Sequence, residues 1–144
     1  TQESLGHSFQ MVNKNVIVHA PCSVGILVDR GLGGTTQVSA SEVSYSIVVP
    51  FFGGLDDCEA LAYGMRMAEH PGIALTVVKF ATVGNIEKPN ETPTEEADTY
   101  LSECVARKNS RISFEERVTG SKEDVIGALK ELSKCNLFIV GMMV

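Results

Sequence analysis

The sequence predicts an α/β domain built on a five-stranded, mainly parallel sheet. Three observations lead there. SVGILVD, SIVVP, LTVVKF and LFIVG are near-continuous apolar runs of strand length, which suits parallel strands covered on both faces. Segments of helical spacing alternate with these runs, and such alternation implies a parallel sheet with helices on both sides. Ser46–Phe80 is the unit in miniature: a strand, a Gly-Gly turn, a capped helix and a second strand. The turn after the first strand of such a unit is where a ligand usually meets the sheet.

The elements follow in order. A first helix runs from about Ser8 to His19, with Phe9, Val12, Val16 and Ile17 on one face and Pro21 as its limit. Ser23–Asp29 reads as a strand. Arg30–Ser44 is rich in Gly and Ser and reads as a linker; its Arg30-Gly31-Leu32-Gly33-Gly34 string only superficially resembles a phosphate loop, because no helix follows. Tyr45–Pro50 is the next strand. A second helix covers about Asp57–Glu69, with Asp56 and Glu59 as a capping box and Cys58, Leu61, Ala62 and Met65 at i, i+3, i+4, i+7. Pro71 disfavours helical geometry at His70.

Ala74–Phe80 is a buried-type strand, and Ala81–Glu91 a polar loop. Thr92, Pro93 and Glu95 start a third helix with cap, first-turn proline and box. Ala97, Leu101, Cys104 and Val105 mark its inward face. Arg111–Val118 alternates and carries charge, which suits an edge strand. Ser121 caps a fourth helix whose stripe is Val125, Ile126, Leu129 and Leu132. Asn136–Gly141 is the last strand.

Composition narrows the function. The 144 residues suffice for one ordinary domain with a hydrophobic core. Apolar residues make up 44% and charged residues 21%, as in soluble globular proteins. A net charge of −6 argues against nucleic acid or an anionic membrane surface as main partner. No apolar run approaches the roughly 18 residues of a membrane span, and the polar start TQESLGHSFQ lacks a signal-peptide core. Cys22, Cys58, Cys104 and Cys135 form no C-x-x-C pair and read as reduced, mostly buried thiols. His19 and Cys22 are three apart, but that spacing reads as a helix end rather than half a zinc site.

Catalytic signals are absent. There is no G-x-S-x-G elbow and no local Cys/His pair. Asp56/Asp57 and Glu95/Glu96 stand in first turns of helices, where capping explains them. Asn90-Glu91-Thr92 matches a glycosylation sequon that a cytosolic chain would not use. Gly53-Gly54 reads as a turn needing positive φ, with ligand contact as the other reading. Phe51-Phe52 reads as core, with a docking patch as the other reading.

Two strings carry a family resemblance. VNKNVIVHAPCSVGILVDRGLGG (Val12–Gly34) and FFGGLDDCEALAYGMRMAEHPGIALTVVKF (Phe51–Phe80) resemble the cytosolic tail of plant monovalent cation/proton exchangers, the CHX branch of the cation/proton antiporters. GALKELSKCNLFIVG (Gly127–Gly141) fits the same tail. That tail is itself similar to two universal-stress-protein-like, Rossmann-like repeats. The resemblance implies sheet order 3-2-1-4-5. Residues 1–30 are then the end of a first repeat, 31–44 a linker and 45–144 most of a second, within a single domain. The second repeat's last helix and strand would lie beyond Val144. The first helix and Ser23–Asp29 are expected to replace them in a permuted sheet, beside Asn136–Gly141, or to be swapped between two molecules. The linker of about fifteen residues reaches ~50 Å when extended, enough to cross the sheet.

The resemblance also bears on ligands. Nucleotide-binding universal stress proteins have an Asp at the end of strand one and a G-x-x-G, then G-[ST], signature. Here Pro50 stands at the first position. Gln10-Met11 aligns with the G-[ST] position of the first repeat, and the second repeat's signature is missing beyond Gly141. Candidate cofactor-contacting residues are Pro50, Phe51, Gly53, Gly54, Val78 and Gly141, with no metal or catalytic residues. The expected function is a regulatory, non-catalytic domain of a K⁺ or Na⁺/proton antiporter, on the cytosolic face of a plant endomembrane or plasma membrane. It would act through contacts with the transporter's membrane domain or a second copy, without a cofactor. The alternative is an ATP-binding module of universal-stress type. A flavodoxin-like or response-regulator-like domain ranks last, since no phosphoacceptor Asp ends Arg111–Val118.

Overall fold

The computed structural model describes residues 2–28, 44–82 and 95–142. The chain forms two compact units, residues 1–34 and 35–144. The first holds helix α1, Gln2–His19. Pro21 follows as expected, and His19 closes the helix by donating from Nδ1 to the Asn15 carbonyl at 2.9 Å. Phe9, Val12, Val16 and Ile17 are exposed.

The second unit runs β1 (Tyr45–Phe51), α2 (Leu55–Met67), β2 (Ile73–Thr82), α3 (Glu95–Ala106), β3 (Ile112–Thr119), α4 (Lys122–Glu131) and β4 (Leu137–Phe138). Its sheet has the order β3-β2-β1-β4, and each neighbouring pair is parallel. β1 pairs with β2 from Tyr45↔Ile73 to Phe51↔Lys79. β2 pairs with β3 from Leu75↔Ile112 to Thr82↔Thr119.

Side chains alternate across each strand, so one sheet builds two cores. Ile47, Val49, Phe51, Leu75, Val77 and Ile112 meet α2 and α3 through Ala60, Leu61, Ala97, Leu101 and Cys104. Val48, Val78 and Phe80 meet α4 through Ala128 on the other face. SIVVP and LTVVKF are parallel strands buried on both sides, as their composition required. β3 lies at the sheet's edge, where Glu115, Glu116 and Arg117 are tolerated. Arg117 there pairs with Glu131 of α4 at 2.7 Å.

Several expectations need correction. Among the described residues the sheet has four strands, not five. Ser23–Val28 carries no strand pairing, and Asp29 lies outside the described residues. An extended segment becomes a strand only by sharing a backbone ladder, and Val24, Ile26, Leu27 and Val28 stay exposed. The permuted sheet is therefore not the observed one. The strand expected over Asn136–Gly141 shrinks to Leu137–Phe138. Asn136 N–H donates to the Ser46 carbonyl and Ile139 N–H to that of Val48, three residues against two. The Asn136 bond is one residue out of the Ile47↔Leu137 register, whereas the Ile139 bond keeps it, so the irregularity lies where β4 begins.

α2 begins at Leu55 rather than Asp57, and its N-cap is Gly54. The Asp56–Glu59 box does not form, because both residues are already inside the helix. Ser121 does cap α4, accepting from Asp124 N–H at 3.2 Å. The thiols are all free, but only Cys104 is buried; Cys58 and Cys135 are half-buried and Cys22 is exposed. The Arg30–Gly34 string, the Asn90–Thr92 sequon and the Thr92–Pro93 helix start lie outside the described residues.

Candidate functional site

The turn between β1 and α2 is the place where a ligand would meet a parallel sheet. Its geometry starts with Gly53, which adopts φ 103°. A side chain is strained there, so glycine is required. The reversal at Gly53 brings the N–H groups of Phe52 and Gly54 to one point. Both donate to the same atom, Asp57 Oδ2, at 2.9 Å and 3.1 Å. Gly54 itself has φ −85°, so its role is that of an extended N-cap rather than a second left-handed residue.

Converging N–H groups at a helix N-terminus form a cradle for an anion. Here the anion is part of the chain. The Asp57 side chain is 3% exposed and fills the cradle from the third helical position. Its negative charge also sits favourably at the positive end of the helix dipole. The carboxylate and Cys58 are neighbours: burial first, then the Asp57 charge, pushes the Cys58 thiol above its ordinary value. A thiol held protonated this way is a poor nucleophile.

The turn is closed from a second side by Gly141. A Cβ built on Gly141 would lie 2.5 Å from the Asp56 carbonyl carbon and 2.6 Å from both Asp57 N and Asp57 Oδ1. The chain leaving β4 thus presses its backbone against the first turn of α2. Only glycine allows that approach.

The remaining candidate residues fall into place around the turn. Pro50, Phe51 and Val78 are fully buried, Phe51 in the core against α2 and α3 and Val78 in the core against α4. Phe52 is 43% exposed and stacks on Phe80, with ring centroids 5.1 Å apart and planes 12° from parallel. Asp56 is exposed. The structure brings Gly53, Gly54 and Gly141 together at the turn, and puts Phe51 and Phe52 on different tasks. That the first-turn acids take up the free N–H groups was expected; that Asp57 rather than the exposed Asp56 does so was not. The signal was present as Gly53-Gly54-Leu55-Asp56-Asp57: a glycine N-cap followed three residues on by an acid.

Two clefts lie elsewhere. One of about 590 Å³ opens at the opposite, amino end of the strands, lined by Tyr45, Ser46, His70, Gly72, Arg111 and Asn136 among others. Its polar groups are largely occupied. His70 Nδ1 accepts from Gly72 N–H at 3.0 Å, Arg111 Nη1 donates to the His70 carbonyl at 3.1 Å, and Asn136 Oδ1 accepts from Ser46 N–H at 2.9 Å. The other, about 370 Å³, lies between α3 and β3, beside Leu101, Phe114 and Glu116. No group of three or more His, Cys, Asp or Glu suited to a metal occurs among the described residues.

The architecture is thus a parallel α/β domain whose ligand-side turn is occupied by its own carboxylate. Residues 44–143 match the family described as plant cation/H(+) antiporter, C-terminal domain, and residues 1–32 match a plant cation/H(+) antiporter domain. The chain belongs to this plant cation/H(+) antiporter family. Among relatives, it is 55% identical to cation/H(+) antiporter 19 of Arabidopsis thaliana, over 96% of this chain and 19% of that protein. It is 44% identical to cation/H(+) antiporter 18 and 43% identical to cation/H(+) antiporter 17 of the same plant, each over 98% of this chain and 20% of the relative. The chain therefore spans about a fifth of the length of the curated relatives it matches. A crystal structure of a universal stress protein in complex with cAMP overlaps it with a TM-score of 0.44 at 12% identity, covering 67% of this chain and 75% of that one.

Proposed function

We propose that this chain is a regulatory, non-catalytic domain of a plant monovalent cation (K⁺/Na⁺)/proton antiporter, acting through protein contacts. The transport chemistry would reside in a membrane domain outside these 144 residues. No helix among the described residues is long and apolar enough to cross a membrane. The domain would sit at the cytosolic face and bias the transporter between states, by touching one state better than the other.

The observation that carries the reading is Asp57. A ligand-responsive turn leaves its N–H groups for the ligand; this one spends them internally, on Oδ2 at 2.9 Å and 3.1 Å. An incoming phosphate would have to displace a covalently tethered carboxylate and then face its charge. At the same end of the sheet the exposed apolar residues Phe52, Leu55, Val118, Val140 and Met142 are better suited to a protein surface than to a nucleotide.

The test uses the full-length antiporter in cells lacking their own potassium uptake. Val140→Glu places charge on an exposed position while leaving the buried core intact. Altered growth at limiting potassium, with unchanged protein abundance, is the expected outcome. Unaltered transport in Val140→Glu and in Met142→Glu would remove the support for contact at this end of the domain.

A further inference from the structure

Arg107-Lys108-Asn109-Ser110-Arg111 connects α3 to β3. It concentrates three basic residues in five, within a chain of net charge −6. The five arginines are Arg30, Arg66, Arg107, Arg111 and Arg117, and only Arg107 has a Ser or Thr three residues later. That residue, Ser110, is exposed. It occupies the tip of a tight turn, closed by Ile112 N–H to the Asn109 carbonyl at 3.1 Å and Arg111 N–H to Asn109 Oδ1 at 2.9 Å. α3 ends at Ala106, and the chain turns on with Arg107 N–H donating to the Cys104 carbonyl at 3.1 Å and Lys108 N–H to the Val105 carbonyl at 3.2 Å. Such a segment can be drawn into an extended groove at small cost.

We propose that Ser110 is a phosphorylation site for a basophilic serine/threonine kinase, one whose acidic groove reads the arginine three residues before the acceptor. The serine Oγ attacks the γ-phosphorus of Mg-ATP. The bond from that phosphorus to the bridging oxygen breaks and ADP leaves. The serine proton passes to the kinase's catalytic carboxylate. The product carries about two further negative charges and three strong acceptor oxygens.

The structural consequence runs through Arg111. Its guanidinium now donates to the His70 carbonyl at 3.1 Å, tying the start of β3 to the turn between α2 and β2. A phosphate on the adjacent residue competes for that guanidinium with a charge-assisted, bidentate alternative. Phosphorylation therefore loosens the His70–Gly72 turn and widens the cleft of about 590 Å³ that His70 and Arg111 line. The site stands independently of whether the domain works through protein contacts.

The experiment treats the 144-residue chain with Mg-ATP and the catalytic subunit of cyclic-AMP-dependent kinase as basophilic probe, followed by peptide mapping. The expected product gains about 80 Da on Ser110, the mass of one phosphoryl group. Ser110→Ala abolishes the gain, and Arg107→Gln slows it by about tenfold or more, a barrier change of ~1.4 kcal/mol. The phosphorylated chain exchanges the Gly72 amide hydrogen faster than the unmodified one. Phosphate on another residue, no phosphate on the folded chain, or an Arg107→Gln variant modified at the full rate overturns the site. Unchanged exchange at Gly72 overturns the link to Arg111. Circular dichroism of both variants, whose substitutions are on exposed residues, checks that they fold.

Discussion

Replacing Asp57 by Ala should cost this small domain much of its stability. The carboxylate accepts two N–H groups, from Phe52 at 2.9 Å and Gly54 at 3.1 Å, while 3% exposed. Hydrogen bonds to a charged group contribute roughly 1.5–3 kcal/mol each. The same carboxylate supplies the end of α2 with its capping partner, worth about 1 kcal/mol. The terms overlap, since they share one side chain, and the removed charge recovers its own desolvation. We expect a net loss of about 3–4 kcal/mol, against about 5–15 kcal/mol for a typical domain. Asp57→Asn keeps one acceptor and loses the charge, so about half that loss is expected. Urea unfolding followed by circular dichroism measures both, with the slope unchanged if only the native state is affected. An Asp57→Ala variant within about 1 kcal/mol of the parent would refute the internal-anion argument, because even one lost charged hydrogen bond exceeds that.

Further outcomes follow from the same geometry. Gly141→Ala should destabilise by about 1–3 kcal/mol, because its methyl would meet backbone atoms of Asp56 and Asp57 at 2.5–2.6 Å, which cannot swing aside. Gly64→Ala is the contrast: its methyl meets side-chain methyls of Val49 at 3.0 Å and Leu75 at 3.3 Å rather than backbone, and alanine returns up to about 1 kcal/mol of helix propensity. Denaturation midpoints should therefore rank Gly141→Ala well below Gly64→Ala, and the reverse order would mean the β4 tail does not rest on α2. Tyr100 makes a pH prediction. Burial, and then the Cys104 thiol beside it, pushes its phenol up to about 12. Its folded value is raised above the unfolded one, so its contribution is fully present below about pH 10 and is lost as the pH rises through about 12. The absorbance difference at phenolate wavelengths between the parent and Tyr100→Phe should develop near pH 12; development near pH 10 would contradict the burial.

Much of the second unit was legible because its signals are local. SIVVP and LTVVKF have too many consecutive apolar residues for a one-sided strand, and both turned out to be covered twice. ISFEERV could alternate because the edge position leaves part of it in water. Ser121 and Asp124 form their cap within four residues, with no tertiary partner needed. The failures share a different cause. Ser23–Asp29 has the composition of a strand, yet pairing is a non-local property that composition alone cannot supply. LFIVG likewise reads as five strand residues, yet the strand is Leu137–Phe138, and Gly141 presses on α2 instead. At the turn, the two adjacent acids are indistinguishable by type. Asp57 is buried and Asp56 exposed only because Gly54 caps the helix two residues earlier than the pattern suggested. The family was readable where the strings were long and specific. Which of the two adjacent acids fills the turn was not, because both stand in the first turn of α2 and either could cap it.

This domain keeps the strand-turn-helix scaffold on which ligands often bind and fills its turn with Asp57. Calorimetric titration of the purified chain with Mg-ATP tests it most directly. With the turn filled, no measurable heat is expected, or a dissociation constant no tighter than about 1 mM, roughly −4.1 kcal/mol. A saturable, one-site isotherm near 1 µM, about −8.2 kcal/mol, would contradict it and make the alternative of a nucleotide-binding module the better account.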